Sequence, residues 1–294
     1  MKRNLLVCAA MLSAFACMAT GCSSKIDQTA EVSSAAEEKT EDNNEVIEAT
    51  ESVTEATEPP LLERAKKLLA QNPDTIGYLS VPGTEVDNPV VQTVDNDYYL
   101  HIGFDGQDYR AGTVYMDYRD VFSWKEDEHS ENIILYGHNM ADNTMFGSLR
   151  RYRQDLEFYK ESPIVKFSSN YKDYNYVIFG LVITAGDAVP PSDDVYADPI
   201  TWEGFPYWNM QELDDEKHFN YYIDTIEKMN MIENKVDVEF GDELLTLSTC
   251  YSDEDNSRFL IVARKLRDDE TEASIKKLIN DDGEKATTTD AADE

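Results

Sequence analysis

The chain has 294 residues, 41% of them hydrophobic, enough for one large domain or two small ones with a substantial core. Its formal charge is -33, and the middle stays strongly negative when the acidic ends are set aside. Such a surface repels phosphate backbones and excludes nucleic acid as a partner, whereas a basic peptide is compatible with it but not required.

Lys2 and Arg3 open the chain, followed by an apolar stretch from Leu5 to about Ala19. It falls short of the ~20 residues a spanning helix needs and reads as a signal segment. The stretch ends in Ala19-Thr20-Gly21-Cys22, which resembles a bacterial lipoprotein cleavage box. Residues 1–22 would then be a lipoprotein-type signal peptide, with Cys22 lipidated as the new N-terminus. The alternative is an uncleaved anchor helix. Either anchor places the bulk of the chain on the extracellular face of the cell membrane. Residues 23–60 are rich in Glu, Thr, Ser and Ala, cannot bury enough surface to fold, and read as a disordered acidic tether.

One domain is expected over 61–267. Leu61 to Leu69 carries apolar positions at helical spacing, and Asn72-Pro73 ends that helix. Short segments rich in Val, Ile and Tyr follow at 75–81, 86–92, 112–117 and 132–137, with further strands expected at 163–168, 174–185, 235–239, 243–250 and 258–265. Helices are expected at 143–159 and 210–232, and 186–208 reads as a long loop of the kind that lines a site. Many short strands with few helices argue for a mainly β fold, a barrel or a sandwich. Residues 268–294 form an acidic tail, mostly disordered, in which Ile275, Leu278 and Ile279 allow a short frayed helix.

Of the four cysteines, Cys250 alone lies beyond residue 22. A solitary thiol of an exported chain is either a small buried hydrophobe or a reactive group. It ends the strand 243–250, and a hairpin symmetric about Glu254 sets it opposite Arg258 on the same face. A guanidinium there favours a thiolate and can hold an oxyanion, but it stays protonated and cannot be a base. A base must come from His101, His129, His138 or His218. His138 is the best placed, just past the apolar strand Asn132 to Tyr136 and a glycine. His129 lies in a charged loop and is expected in solvent, His218 on an acidic helix surface, and His101 in a structural role.

Thr246-Leu247-Ser248-Thr249-Cys250, Arg258-Phe259-Leu260-Ile261-Val262 and Tyr136-Gly137-His138-Asn139-Met140 together resemble the active-site motifs of sortases, the cysteine transpeptidases of Gram-positive bacteria. Gly77 to Thr84, Pro89 to Gln92, Asp95 to Leu100 and Met145 to Leu149 narrow the resemblance to class B, in the family's order, over about 61–266. The resemblance implies an eight-stranded sortase-type β-barrel with an N-terminal helix and an extra helix before the strand carrying the nucleophile.

It also implies that Cys250 is the nucleophile, His138 the general acid/base and Arg258 the oxyanion and substrate-positioning group. Asn96, Leu100 and Ser248 match positions that line the class B groove. The implied partners are secreted proteins bearing a C-terminal sorting motif, cut after Thr, and an acceptor amine from a peptidoglycan precursor or a pilin lysine. The usual sortase anchor is an N-terminal membrane helix, so the lipobox is a departure. No cofactor or metal is expected: Asp253-Glu254-Asp255-Asn256 lacks the spacing and central glycine of a calcium loop. Two rival readings share these residues, an endopeptidase with water as acceptor and a non-catalytic lipid-anchored binding protein.

Overall fold

The computed structural model describes residues 57–186, 196, 204–250 and 256–281. The signal segment, Cys22, nearly all of the tether, most of the 186–208 loop, the 251–255 turn and the end of the tail lie outside the described residues.

Helix α1 (Glu63–Leu69) buries Ala65. It stops where Asn72, itself buried, turns its side chain to other work: Nδ2 donates to Tyr99 OH (2.8 Å) and Phe104 O (3.0 Å), and Oδ1 accepts from Asp74 N (2.9 Å). The helix end therefore anchors the 98–104 loop, which carries Leu100.

Eight strands close a barrel in the order β1-β2-β3-β4-β7-β8-β6-β5. They are β1 (Thr75–Ser80), β2 (Asp87–Val91), β3 (Tyr115–Met116), β4 (Asn132–Tyr136), β5 (Ile164–Ser169), β6 (Asp173–Ala185), β7 (Leu244–Cys250) and β8 (Ser257–Lys265). Two pairings are parallel, β2 with β3 and β4 with β7; the rest are antiparallel. β4 and β7 are buried along almost their whole length, which is why they read as continuous apolar runs rather than alternating ones.

Within 61–267 three strand and helix assignments differ from what is found. Residues 235–239 form no strand, because side chains take the backbone groups a ladder would use. Asn234 Oδ1 accepts from Val236 N, Arg264 Nε donates to Asp237 O, and Asp242 Oδ2 accepts from Glu239 N. The single helix expected at 143–159 is broken into a 3-10 turn (Gly147–Leu149), α2 (Arg150–Gln154) and α3 (Phe158–Glu161). Asp155 is extended at the break, its carbonyl accepting from Phe158 N and its carboxylate from Glu157 N. The helix expected at 210–232 is α4 (Glu216–Met229), starting later because Asp215 caps it through Lys217 N and His218 N.

α4 packs Ile226 against β6 at Gly180, where a Cβ would lie 2.6 Å from Ile226 Cγ2. β6 bulges at this point, and Asn230, just past the helix, bonds Leu181 N (3.0 Å) and Phe179 O (2.9 Å). Tyr222 of α4 reaches inward to Asn132 and Thr246, which bond each other across β4 and β7.

At the far end of β8, Arg264 is fully buried. It bonds Glu270 through both terminal nitrogens (2.6 Å each) and Asp237 O through Nε (2.7 Å). Beyond it α5 (Glu272–Asn280) has a Thr271/Ser274 capping box and buries Ile275 and Ile279, so the helix expected to fray is capped and docked. Arg264→Met leaves Asp237 O without this donor and Glu270 with only the Arg267 N–H, and is expected to lower unfolding free energy by about 3–5 kcal/mol, measured by denaturant titration.

Asp120, in the β3–β4 connection, accepts from Ile134 N (2.6 Å) and Gln211 Nε2 (2.8 Å). Burial, reinforced by the Asp117 charge, pushes its carboxyl up to about 8 against the pull of the Ile134 N–H. The folded chain therefore keeps this proton while the unfolded chain loses it from about pH 4 upward. The contribution is complete below that pH and is lost towards pH 8, at up to about 1.4 kcal/mol per pH unit. Asp120→Asn should flatten this fall, so the variant gains stability relative to wild type at pH 8 more than at pH 5 in paired denaturant titrations.

Candidate active site

β4 and β7 run parallel with Tyr136 opposite Ser248. The pairing is extended by Gly137 N donating to Ser248 O (3.3 Å) and Thr249 Oγ1 donating to Gly137 O (2.7 Å). Two residues past the last rung, His138 stands level with Cys250. On the other side of β7 the antiparallel ladder with β8 ends on the pair Cys250 and Arg258, the register expected from the hairpin.

His138 Nε2 lies 2.9 Å from Leu100 O. A carbonyl can only accept, so Nε2 carries the proton of this bond and Nδ1 is the nitrogen left for proton exchange. The His101 ring stacks on His138 with centroids 6.0 Å apart and planes at 23°. Arg258 spends only Nη1 on bonds among the described residues, all long: Asn256 Oδ1 at 3.2 Å, Ser257 O at 3.3 Å and Asn256 O at 3.4 Å.

A cavity of about 360 Å³ opens at this rim, and Asn96, Leu100, His138, Ser248, Cys250 and Arg258 all line it. Every site residue expected within the barrel thus meets in one place, with Cys250 half-buried. Cys22 lies outside the described residues. Ser248 Oγ bonds Tyr207 OH at 2.7 Å, and burial pushes that phenol up to about 12.

The other histidines sit elsewhere or beside the site. His129 is not in solvent. Its side chain is 1% exposed, packed on Phe122, and bonded to Glu243 (2.9 Å) and Ser123 O (3.0 Å), at the opposite end of β7 from Cys250. His218 is half-buried and stacks on Tyr196 at 3.9 Å.

Asp97, Arg119, Tyr136, Tyr207 and Trp208 line the same cavity; sequence reasoning named none of them as a site residue, although Tyr207 and Trp208 fall in the 186–208 loop expected to line a site. Tyr136 opens the Tyr136-Gly137-His138-Asn139-Met140 motif and could have been drawn in with it. For Arg119 no local pattern points to a cleft. Asp117 lies beneath them, fully buried. Burial pushes its carboxyl up, but bonds from Arg119 outweigh this and hold it below the usual range.

The sortase-domain family profile matches residues 79–266. The chain belongs to the sortase family. Curated sortase B proteins are similar to it: that of Listeria monocytogenes is 28% identical over 73% of this chain and 78% of its own length. That of Staphylococcus aureus is 29% identical over 71% and 75%. Among solved structures, Listeria monocytogenes sortase B superposes with a TM-score of 0.54 at 30% identity, covering 68% of this chain and 98% of that one. The Staphylococcus aureus sortase B–substrate complex gives 0.57 at 26% identity, covering 70% and 86%. This sortase is therefore of class B and a cysteine transpeptidase. The closed eight-stranded barrel, with α1 ahead of it and α4 before the Cys250 strand, is the architecture the motifs implied.

Gly186 marks how tightly the rim is built. A Cβ there would lie 2.6 Å from Arg258 Nη1 and 2.5 Å from Asn256 O. Gly186→Ala should displace the guanidinium and cut peptide turnover by about ten-fold or more, since small misplacements at a reacting centre are costly. Alkylation of Cys250 in the same variant should continue, which separates displacement of Arg258 from loss of the thiol.

Proposed function

We propose that this sortase cuts the C-terminal sorting signal of secreted proteins after Thr and joins the new carboxyl end to an amine. The observation that carries the reading is the meeting of three chemistries at one barrel rim: the terminal rung of Cys250 with Arg258, and His138 level with it from the parallel neighbour.

Cys250 gives its proton to His138 and its sulfur adds to the carbonyl carbon of the threonine. Arg258 and a backbone N–H near Cys250 hold the oxyanion. The C–N bond then breaks, His138 protonates the leaving amine, and a thioester remains. In the second half an acceptor amine attacks, His138 takes its proton, and the C–S bond breaks. Asn96, Leu100 and Ser248 line the peptide's path. The acceptor is the amine of a peptidoglycan precursor or a pilin lysine.

The same reading places the enzyme on the extracellular face of the membrane, held through a lipid on Cys22, with the 23–60 tether letting the barrel range over tens of ångströms. The apolar stretch before Cys22, too short to span comfortably, supports this. The mass of the mature protein tests it: an intact Met1 overturns the lipid anchor.

Exposure of the full chain to a library of sorting peptides, followed by mass spectrometry, should find an acyl adduct on Cys250. Cys250→Ala should abolish the adduct and His138→Ala should nearly do so. Arg258→Lys should weaken it by roughly the 10²–10³-fold of a lost oxyanion donor, because a point charge cannot replace the planar fork. Full activity in Cys250→Ala refutes the assignment. Product that is unchanged by added amine identifies water as the acceptor instead.

A further inference from the structure

Asp117 sits just past β3, wholly buried, and collects the cavity's floor and wall onto one carboxylate. Its Oδ2 accepts from Asn96 Nδ2 (3.0 Å), Tyr136 OH (3.0 Å) and Arg119 Nη2 (2.8 Å). Its Oδ1 accepts from Arg119 N (3.0 Å) and Nε (2.8 Å). Its own backbone is pinned, N–H to Ile134 O of β4 and C=O to Gln92 Nε2.

Arg119 carries the connection further. The same Nη2 that meets Asp117 also donates to Trp208 O at 2.7 Å, and Nη1 reaches Asn209 Oδ1 at 3.4 Å. Trp208 belongs to the 3-10 turn Tyr207–Asn209, whose Tyr207 and Trp208 line the cavity together with Asn96 and Tyr136. Among the described residues that turn has one other side-chain hydrogen bond into the barrel, between Tyr207 OH and Ser248 Oγ.

The geometry points to the Asp117–Arg119 pair as a positioning element that sets the width of the peptide seat, holding the Tyr207–Asn209 wall at a fixed distance from the Asn96 and Tyr136 floor. This rests on the reading of the cavity as the sorting-peptide cleft. Asp117 is buried and Arg119 partly exposed, and a pair with a buried member stabilises a fold little better than apolar side chains of equal volume, so what it adds here is direction. A bidentate fork with a further N–H for a main-chain carbonyl fixes the turn in one orientation, which neither a methionine nor a lysine does. Neither residue hydrogen-bonds Cys250, His138 or Arg258 among the described residues, so the pair acts on how the peptide is held and leaves bond-making to the rim.

The test is steady-state transpeptidation by the full chain, using the peptide that labels Cys250 and a saturating amine, for Arg119→Lys and for the double variant Asp117→Asn with Arg119→Met. The double variant removes both charges together, so no unpaired charge is left buried. In both, KM for the peptide should rise by about ten-fold or more while kcat stays within about two-fold, the pattern of lost uniform binding. Alkylation of Cys250 by iodoacetamide should keep its wild-type rate, and near-ultraviolet circular dichroism should remain native. A wild-type KM in either folded variant overturns the seat, as does a loss confined to kcat. Arg119→Lys keeps the positive charge beside Asp117 and so supplies the folded protein if the double variant unfolds. A wild-type chain that acylates with no peptide takes down the cleft reading and the seat together, whereas normal wild-type turnover with unchanged variant KM removes the seat alone.

Discussion

Five parallel rungs join β4 to β7, from Asn132 opposite Leu244 to Tyr136 opposite Ser248, and the site exists because they end where they do. Parallel strands deliver both C-terminal ends to one rim of the barrel, which is how two residues more than a hundred positions apart arrive side by side. The ladder is held from both faces. Ile133, Ile134, Leu135, Leu244, Leu245 and Leu247 are essentially fully buried, each contributing on the order of 2 kcal/mol. A slip of one residue would turn Cys250 to the opposite face. The buried bonds among Asn132, Thr246 and Tyr222 oppose such a slip, because each group would lose its partner in a place without water.

β8 carries an arginine near each end, and the two show what partners do to a guanidinium. Arg264 is buried with its fork matched to Glu270 and its Nε given to a carbonyl, and it ties the barrel to α5. Arg258, at the rim, holds only long hydrogen bonds through one nitrogen among the described residues and lies against Gly186, where no side chain intervenes. The first is committed to the fold. The second keeps donors that a developing negative charge can use.

The parts of this arrangement legible in the sequence were the local ones. The hairpin register followed from counting across a polar turn, and the apolar run ending at Tyr136-Gly137-His138 placed the histidine at a strand end. The motifs in order supplied the barrel, which spacing alone left open between a barrel and a sandwich. What escaped was decided by distant partners. Asp117 and Arg119 have no periodic or motif signal of their own, because their meaning lies in Asn96, Tyr136 and Trp208, separated from them by 21, 19 and 89 positions. His129 was misplaced in solvent because its neighbours in sequence are charged, while its neighbours in space are Phe122 and Glu243. The 235–239 segment has strand composition, yet Asn234, Arg264 and Asp242 claim its backbone groups first.

The overall acidity of the chain sharpens the electrostatics of the rim. A formal charge of -33 would seem to oppose any step that builds negative charge on a carbonyl oxygen. Screening confines most of that field to within about 8 Å of each surface carboxylate, so what matters at the reacting carbon is local. Asp117 is the buried carboxylate beneath the cleft, and Arg119 meets it with three hydrogen bonds, so its charge is largely answered where it arises. In the proposed mechanism Arg258 would then meet the oxyanion with little opposition from below. The ion pair that fixes the wall also keeps the floor from working against the chemistry above it.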